Sequence, residues 1–515
     1  MSPSLLSAIL SPQSWPASIW ALLLSGVATL AYQYLVRPSL PPKAPAFWKK
    51  DDVPFFGALR FFSARADFMN DALRSPSVGN DFSFYVGQKQ VVALHSQEGR
   101  RTYFDNKDFN FGAGFGELFA GGPANSAKME DFSTFFNKSL ISLLKKENFV
   151  RNIHLLTSDT RAMCEALDTS PTYRSANGSD WRVFNPFDDM YRLVYQLTMR
   201  TVGATEIVED PKMLSYTLGI FEAFERSTSN LRIIFPWLPT PKHLYRMYNG
   251  ARLYMVFDKL VKERQRTGTK HEDALQFLIE QGADAQDIVS FELGALFAGQ
   301  VNSGINASWI PLHLCLYPEW KAKVRAEIDA AIARHRTSAS QSRYDVLDTL
   351  SLDAWESEFG LIDLSLRESI RLGIPGSSFR KNTTGADIPI GKTGGVVPDG
   401  AFATYLLDDV HMDPAIYSEP MRFDPGRYMP DRAEDKKIPH SYLGWGSGRH
   451  PCLGMKFAKL EMSLIIAYFV AEYDFELSDA QGNRTSEAPP PVDRNQNQAQ
   501  KPSKTTYVRY RRRQD

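Results

Sequence analysis

The chain has 515 residues with 59 acidic and 59 basic side chains, so no overall field recommends nucleic acid or another polyanion as a partner. At 43% hydrophobic and 23% charged it has the composition of a folded globular protein, which excludes a disordered or fibrous chain. Its three cysteines, Cys164, Cys315 and Cys452, are too few and too far apart for a disulfide framework or a zinc cluster, and they fit a reducing compartment.

Residues 1–36 contain no Asp, Glu, Lys or Arg. Within them Ala17 to Val36 is a mostly apolar run, about 30 Å long as a helix, which predicts one membrane-spanning anchor. Trp15, Trp20, Tyr32 and Tyr34 lie near its ends as interfacial aromatics do, and Arg37, Lys43, Lys49 and Lys50 put the following chain on the cytosolic side. A cleaved signal peptide is the alternative, although the basic leading segment that it needs is missing. Residues 37–45 are proline-rich and read as a stiff linker. From 46 to 515 no repeat or second linker interrupts the pattern, which predicts one mainly helical domain with a small β-sheet subdomain. The Asn-X-Ser/Thr matches at Asn137, Asn177, Asn306 and Asn382 read as chance.

Phe82 to Val86 and Gln90 to Leu94 around Gly87 predict a hairpin. Phe109 to Phe119 is rich in Gly and Phe, but its spacing is wrong for a phosphate loop. Phe132 to Leu144 reads as a helix, and residues 185–265 hold several long amphipathic ones, interrupted by the proline-rich stretch Ile233 to Pro241. A long central helix is predicted over about Asp287 to Tyr317, with Pro311 inside it as a kink. At its middle, Ala298 and Gly299 let a large flat group approach the backbone. Gln300, Asn302, Ser303 and Asn306 form a polar cluster, either a satisfied core network or a proton path. Further on, Glu368 and Arg371 share one helix face at i and i+3, a spacing more often found in surface pairs.

The most informative stretch is Trp445-Gly-Ser-Gly-Arg-His-Pro-Cys-Leu-Gly454, followed by the apolar-periodic run Met455 to Val470. A glycine-rich turn lies flat against a planar group and aims N–H groups at sulfur, and a helix N-terminus favours a thiolate. Together these suit Cys452 as the axial thiolate of a haem iron; a structural cysteine in a loop is the other reading.

This stretch resembles the haem-binding signature of the cytochrome P450 superfamily, with Trp445 in the aromatic place, His450 in the basic one, Cys452 as ligand and Gly446 and Gly454 as flanking glycines. The resemblance extends over roughly residues 46–513 and includes the Glu368/Arg371 pair, with Arg427 of Phe423 to Tyr428 as its third member. It implies the P450 fold behind one transmembrane helix, haem b as cofactor, and the buried Glu368–Arg371–Arg427 triad as support for the haem loop. Arg380 is implied as a propionate partner, with His450 and His411 behind it. The Trp-x-x-x-Arg that many members use for a propionate is missing, and Lys138 is a poor substitute. Phe111 and Phe115 fall where members roof the substrate pocket, Ile233 to Pro241 where they carry a mobile lid, and the tail Tyr507 to Arg513 where they have a final strand, whose approach, about Asp493 to Gln500, reaches toward the pocket.

The central helix departs from the common pattern, with Val301 and Asn302 where most members have an acid and a threonine. Asn302 resembles the bile-acid sterol hydroxylases and prostacyclin synthase, so Ala298, Gly299, Asn302 and Ser303 are the distal catalytic candidates for either a monooxygenase or an isomerase. The resemblance implies a microsomal, fungal-type monooxygenase on the endoplasmic reticulum membrane with its catalytic domain cytosolic. It would act on a lipophilic terpenoid, steroid or other secondary metabolite. NADPH electrons would come from a P450 reductase, with cytochrome b5 as an optional second donor, docking near Lys436, Lys437, Arg449, Lys456 and Lys459. The alternatives are a haem-thiolate isomerase or dehydratase needing no external electrons, and a non-catalytic haem sensor.

Overall fold

The central helix, Ala285–Leu316, runs within two residues of its expected bounds and passes through Pro311. A computed structural model describes residues 15–119, 126–173 and 179–514, so Asn177 lies outside the described residues. The central helix is buried along most of its length by helices Pro186–Val202, Gly360–Gly373 and Met455–Glu472. Gly304 sets the approach to the first of these, because a Cβ there would fall 2.5 Å from the Tyr191 ring. Two polar side chains stitch the same contact, Gln300 Nε2 donating to Tyr191 O at 2.8 Å and Ser308 Oγ to Pro186 O at 2.8 Å. Burial of this kind, rather than propensity, holds a Gly- and Asn-rich helix together.

The strands form one seven-stranded sheet and three smaller ones among the described residues. Phe82–Val86 and Lys89–Ala93 form the expected antiparallel hairpin, with Gly87 at φ +60° in its turn. The larger sheet continues through Phe402–Leu406, parallel to Lys89–Ala93, and Ser377–Asn382, antiparallel to Phe402–Leu406. The last strand, Tyr507–Arg512, lies between Tyr473–Ser478 and Arg182–Phe184, as the resemblance implied. Ile233 and Ile234 of the proline-rich stretch are buried against the larger sheet, and Lys89 Nζ donates to Ile233 O at 2.7 Å, whereas Trp237 projects outward. Asn306 and Asn382 are buried, which agrees with chance matches to the glycosylation pattern.

Two expectations at the N-terminus change. A helix does form, over Ala17–Leu35, but no helix among the described residues is long and apolar enough to cross a membrane. Ser18, Ser25, Thr29 and Gln33 dilute the run. The proline-rich segment is not a free spacer. Arg37 bonds both oxygens of Asp52 at 2.7 and 2.8 Å, and Tyr85 and Gln90 donate to the carbonyls of Pro38 and Ser39. Satisfying these carbonyls straps residues 37–39 to the sheet.

Candidate functional site

The loop before the last long helix folds as a two-residue ladder, Gly446–Ser447 against His450–Pro451. Gly446 and Gly448 hold φ of +71° and +61°, and Cβ atoms there would meet His450 O at 2.3 Å and Phe104 O at 2.2 Å. Only glycine satisfies both demands. The Cys452 N–H donates to Trp445 O at 2.7 Å, closing the loop, and helix Met455–Glu472 begins three residues later. Burial raises the Cys452 thiol, and hydrogen bonds from the backbone N–H groups of Gly454 and Met455 oppose that rise. Burial pushes Cys164, despite a side-chain hydrogen bond from Tyr344, and Cys315 up to about 12. Cys452 is accessible, but from within the protein, because it faces a cavity of about 640 Å³.

The opposite wall is the middle of the central helix. Ala298 and Asn302, one turn apart, are exposed and line this cavity, whereas Phe297 and Gly299 are half-buried and Val301 and Ser303 are buried. Gly299 and Ser303 also reach it, yet a Cβ on Gly299 would rest on Thr198 at an ordinary 3.4 Å, so Ala298 and Asn302 carry the open face. Asn302 Nδ2 turns back to Ala298 O at 3.3 Å, which leaves its carbonyl oxygen as an acceptor at the wall. The polar cluster therefore divides. Gln300 belongs to the core, Asn302 and Ser303 serve the cavity, and Asn306 does both, lining the cavity while it bonds Asn302 O and Ser369 Oγ at 2.8 Å each.

Beside Ser303 lies a residue that the sequence pattern hides. Glu461, fully buried on the last helix, accepts from Thr198 Oγ1 at 3.3 Å, and burial pushes its carboxyl up to about 8 against the lowering influence of Thr198 and the nearby Ser303. The only signal was a single acid inside an apolar run, which is indistinguishable in sequence from a solvent-facing position.

Arg449 and His450 line one end of the cavity, and Arg380, which does not line it, lies near enough to His450 to act on it. Arg380 is buried over the rings of Tyr103 and Phe104 at 4.6 and 5.6 Å, and its Nη1 donates to Tyr103 O. Its Nε has no partner, no described carboxylate forms an ion pair with it, and burial lowers its affinity for a proton. His450 is held down by burial and by the charges of Arg380 and Arg449. A buried guanidinium without an anion is costly, so this end fits an acidic group brought by a ligand. Trp445 also lines the cavity, with its indole N–H buried and unpartnered. A Cβ at Gly454 meets nothing within 4 Å, leaving room for a flat group against the backbone.

The Glu368–Arg371–Arg427 network is assembled and buried. Arg371 bonds both Glu368 oxygens at 2.9 and 2.8 Å, and Arg427 Nε bonds Glu368 Oε1 at 2.9 Å and its Nη1 bonds Glu434 at 2.7 Å. Desolvation opposes the Arg371 charge, but the Glu368 carboxylate more than offsets it and raises the guanidinium above its ordinary value. Arg371 also donates to His411 O at 2.6 Å, and the His411 Nε2 accepts the Leu443 N–H at 2.9 Å. The network thus reaches the cysteine loop through His411. That ring is fully buried and does not line the cavity.

Other candidates scatter. Lys138 is exposed and does not line the cavity. Phe111 stacks on His450 at 5.4 Å, so it marks the cavity's edge as well as its roof. Of the basic residues expected at a docking face, Lys459 is paired with Asp363 at 2.9 Å, Lys437 bonds Ile416 O at 2.6 Å, and Arg449 lines the cavity. Lys436 and Lys456 stay exposed.

Comparison with known proteins agrees with this geometry. A profile of the cytochrome P450 family matches residues 49–503. Cytochrome P450 monooxygenase AacuE of Aspergillus aculeatus is 32% identical over 479 residues, covering 90% of this chain and 93% of that protein. Cytochrome P450 monooxygenase nsrP of Aspergillus novofumigatus is 31% identical, covering 92% and 90% respectively. The solved structure of retinoic acid bound cyanobacterial CYP120A1 superposes with a TM-score of 0.68 at 20% identity, over 92% of this chain and all of that one, and so shares the fold. The chain belongs to the cytochrome P450 family, whose monooxygenases use haem iron and electrons passed from NADPH by a reductase.

Proposed function

We propose that this protein inserts oxygen from dioxygen into a lipophilic secondary metabolite, with Cys452 as the axial thiolate of the haem iron. The observation that carries this reading is the accessible Cys452 thiol at a helix mouth, supported by two backbone N–H groups and facing Ala298 and Asn302 across one cavity. When bound, thiolate-ligated haem supplies oxygen activation and favours O–O cleavage. The chain's own residues do the rest. Arg449 and His450, with Arg380 close by, would hold the acidic edge of the group, Trp445 would pack beside it, and the Glu368–Arg371–Arg427 network braces the loop through His411. Glu461, protonated at neutral pH, keeps a proton within one hydroxyl of the distal wall, and Ser303 can relay it.

The same reading places the catalytic body on the cytosolic side of the endoplasmic reticulum membrane. Exposed apolar residues of the first helix, Ile19, Trp20, Leu22, Leu23 and Leu24, support attachment there. Exposed Lys436 and Lys456 favour an acidic reductase face, with cytochrome b5 as a second candidate donor.

Asn302 favours one second reading, an isomerase or dehydratase that needs no external electrons, because the usual acid and alcohol are both missing from the wall. Metabolite masses in the native host separate the two when wild type is compared with Cys452→Ala. The oxygenase reading expects a product heavier by one oxygen to vanish and its precursor to accumulate. A lost product equal in mass to its precursor overturns it. Purified Cys452→Ala is also expected to lose the thiolate signature in the ferrous carbon monoxide spectrum.

A further inference from the structure

Beside the main cavity lies a smaller one of about 220 Å³, lined on one side almost entirely by phenylalanine. We propose that it binds a flat, hydroxylated aromatic ring system stacked against Phe115 and Phe119, a substrate class that rests on the oxygenase reading above.

The phenylalanine row is built, not incidental. Phe111, Phe115 and Phe119 recur at i, i+4 and i+8 along helix Phe111–Leu118 and its C-terminal cap, so they share one face. That face is open to the cavity while Ala113, Gly114, Glu117 and Leu118 are buried behind it. Three contacts fix the helix. Asn110 caps it by accepting the Ala113 N–H at 2.9 Å, Glu117 pairs with Lys381 at 2.7 Å, and Gly114 lies directly on strand Ser377–Asn382. A Cβ at Gly114 would fall 2.4 Å from Arg380 Cα, so only glycine permits that approach.

The rings are arranged as a flat ligand requires. Phe115 and Phe119 lie 4.6 Å apart at 24°, and Phe111 and Phe115 lie 5.9 Å apart at 20°. Phe297, from the central helix, stands edge-on to the last two, at 6.3 Å and 62° to Phe115 and at 5.8 Å and 65° to Phe119. Near-parallel faces closed by an edge offer the quadrupole pattern that a conjugated ring continues; a puckered saturated ring gains only area from it.

The far side is polar. Asn302, Ser377, Asn497 and Gln498 line it. Ser377 Oγ is buried without a partner, and Gln498 is held by its Nε2 on Glu225 at 2.5 Å, leaving its carbonyl oxygen as an acceptor. An alkyl skeleton leaves these groups unmet, whereas ring hydroxyls and carbonyls satisfy them. Phe111, Asn302 and Ile374 line both cavities, so a ring system seated here continues toward the wall that faces Cys452.

The test is equilibrium dialysis of the ferric holoenzyme with three probes: a trihydroxyflavone, progesterone and farnesol. The flavone is expected to bind about tenfold tighter than either non-aromatic probe, the scale of one good aromatic stack. Phe115→Leu with Phe119→Leu should weaken the flavone about tenfold and progesterone less than about twofold, while Phe115→Trp preserves flavone binding and confirms that the pocket folds. Ser377→Ala should weaken the hydroxylated flavone but not unsubstituted flavone. Equal or tighter binding of progesterone, or equal losses for all probes in the leucine variants, overturns the proposal. Dialysis needs no turnover, so failures separate. A thiolate carbon monoxide spectrum without flavone binding sinks this inference alone, and flavone binding without that spectrum sinks the oxygenase reading alone.

Discussion

A carboxyl group that stays neutral at physiological pH strains the fold that holds it. Glu461 ordinarily ionises near 4.5, but burial between Thr198 and Ser303 pushes it up to about 8. The unfolded chain releases this proton as pH rises past the ordinary value, while the folded chain keeps it until about 8. The resulting cost is absent below 4.5, grows through the interval and is constant above about 8. Glu461→Gln, which keeps an acceptor for Thr198, is therefore expected to stabilise the apoprotein by about 3 kcal/mol at pH 7 and by almost nothing at pH 4.5. Thermal melts at the two pH values check this, and a gain independent of pH refutes it. Cys452 and the Glu368/Arg371 pair were legible in sequence because their local motifs resemble a known family's, and Arg427 was reached only through that resemblance. Glu461 and Thr198 were not, because their meaning comes from a contact 263 residues apart in sequence.

The cysteine loop shows which glycines serve the backbone and which serve a ligand. Gly446→Ala meets both a left-handed φ and a 2.3 Å clash with His450 O, so it should lower apoprotein stability and haem retention together. Gly454→Ala meets no atom within 4 Å and should leave apoprotein stability unchanged while weakening haem retention. Melting curves and haem-transfer rates to apomyoglobin distinguish the two. Behind the loop, Glu368→Gln leaves two buried guanidinium groups short of charge. It is expected to cost about 3–5 kcal/mol and to abolish stable haem incorporation. Elements were readable where period and burial agree. The hairpin was placed within one residue and the central helix within two. The fate of Phe111 was not readable, since an i, i+4 aromatic row looks the same in a core as in a cavity.

At the scale of the molecule, the sequence overstated one segment and understated another. The first helix forms, but its membrane-spanning reading relied on apolar content that Ser18, Ser25, Thr29 and Gln33 dilute. The proline segment looked like a spacer because proline density says nothing about tertiary partners. In the fold, the salt bridge and carbonyl contacts of residues 37–39 make it part of the body. Removal of residues 1–36 is therefore expected to leave a folded, haem-binding protein, whereas removal of 1–45 should lower its melting temperature. Partition of full-length and shortened protein between membrane and soluble fractions tests the attachment role of the first helix.

The last stretch of the chain is threaded through the finished structure. Arg494 is clamped to Asp408 and bonds Leu372 O at 2.6 Å, Asn497 and Gln498 line the smaller cavity, and the Gln500 carbonyl accepts the Trp309 indole N–H at 3.0 Å. Nearly every other wall of that cavity is synthesised earlier. A nascent chain can therefore fold its core and still lack a complete ligand site until its closing segment leaves the ribosome. Ligand-dependent stabilisation thus begins only once Asn497 and Gln498 are in place, and a chain cut short before them gains no such rescue.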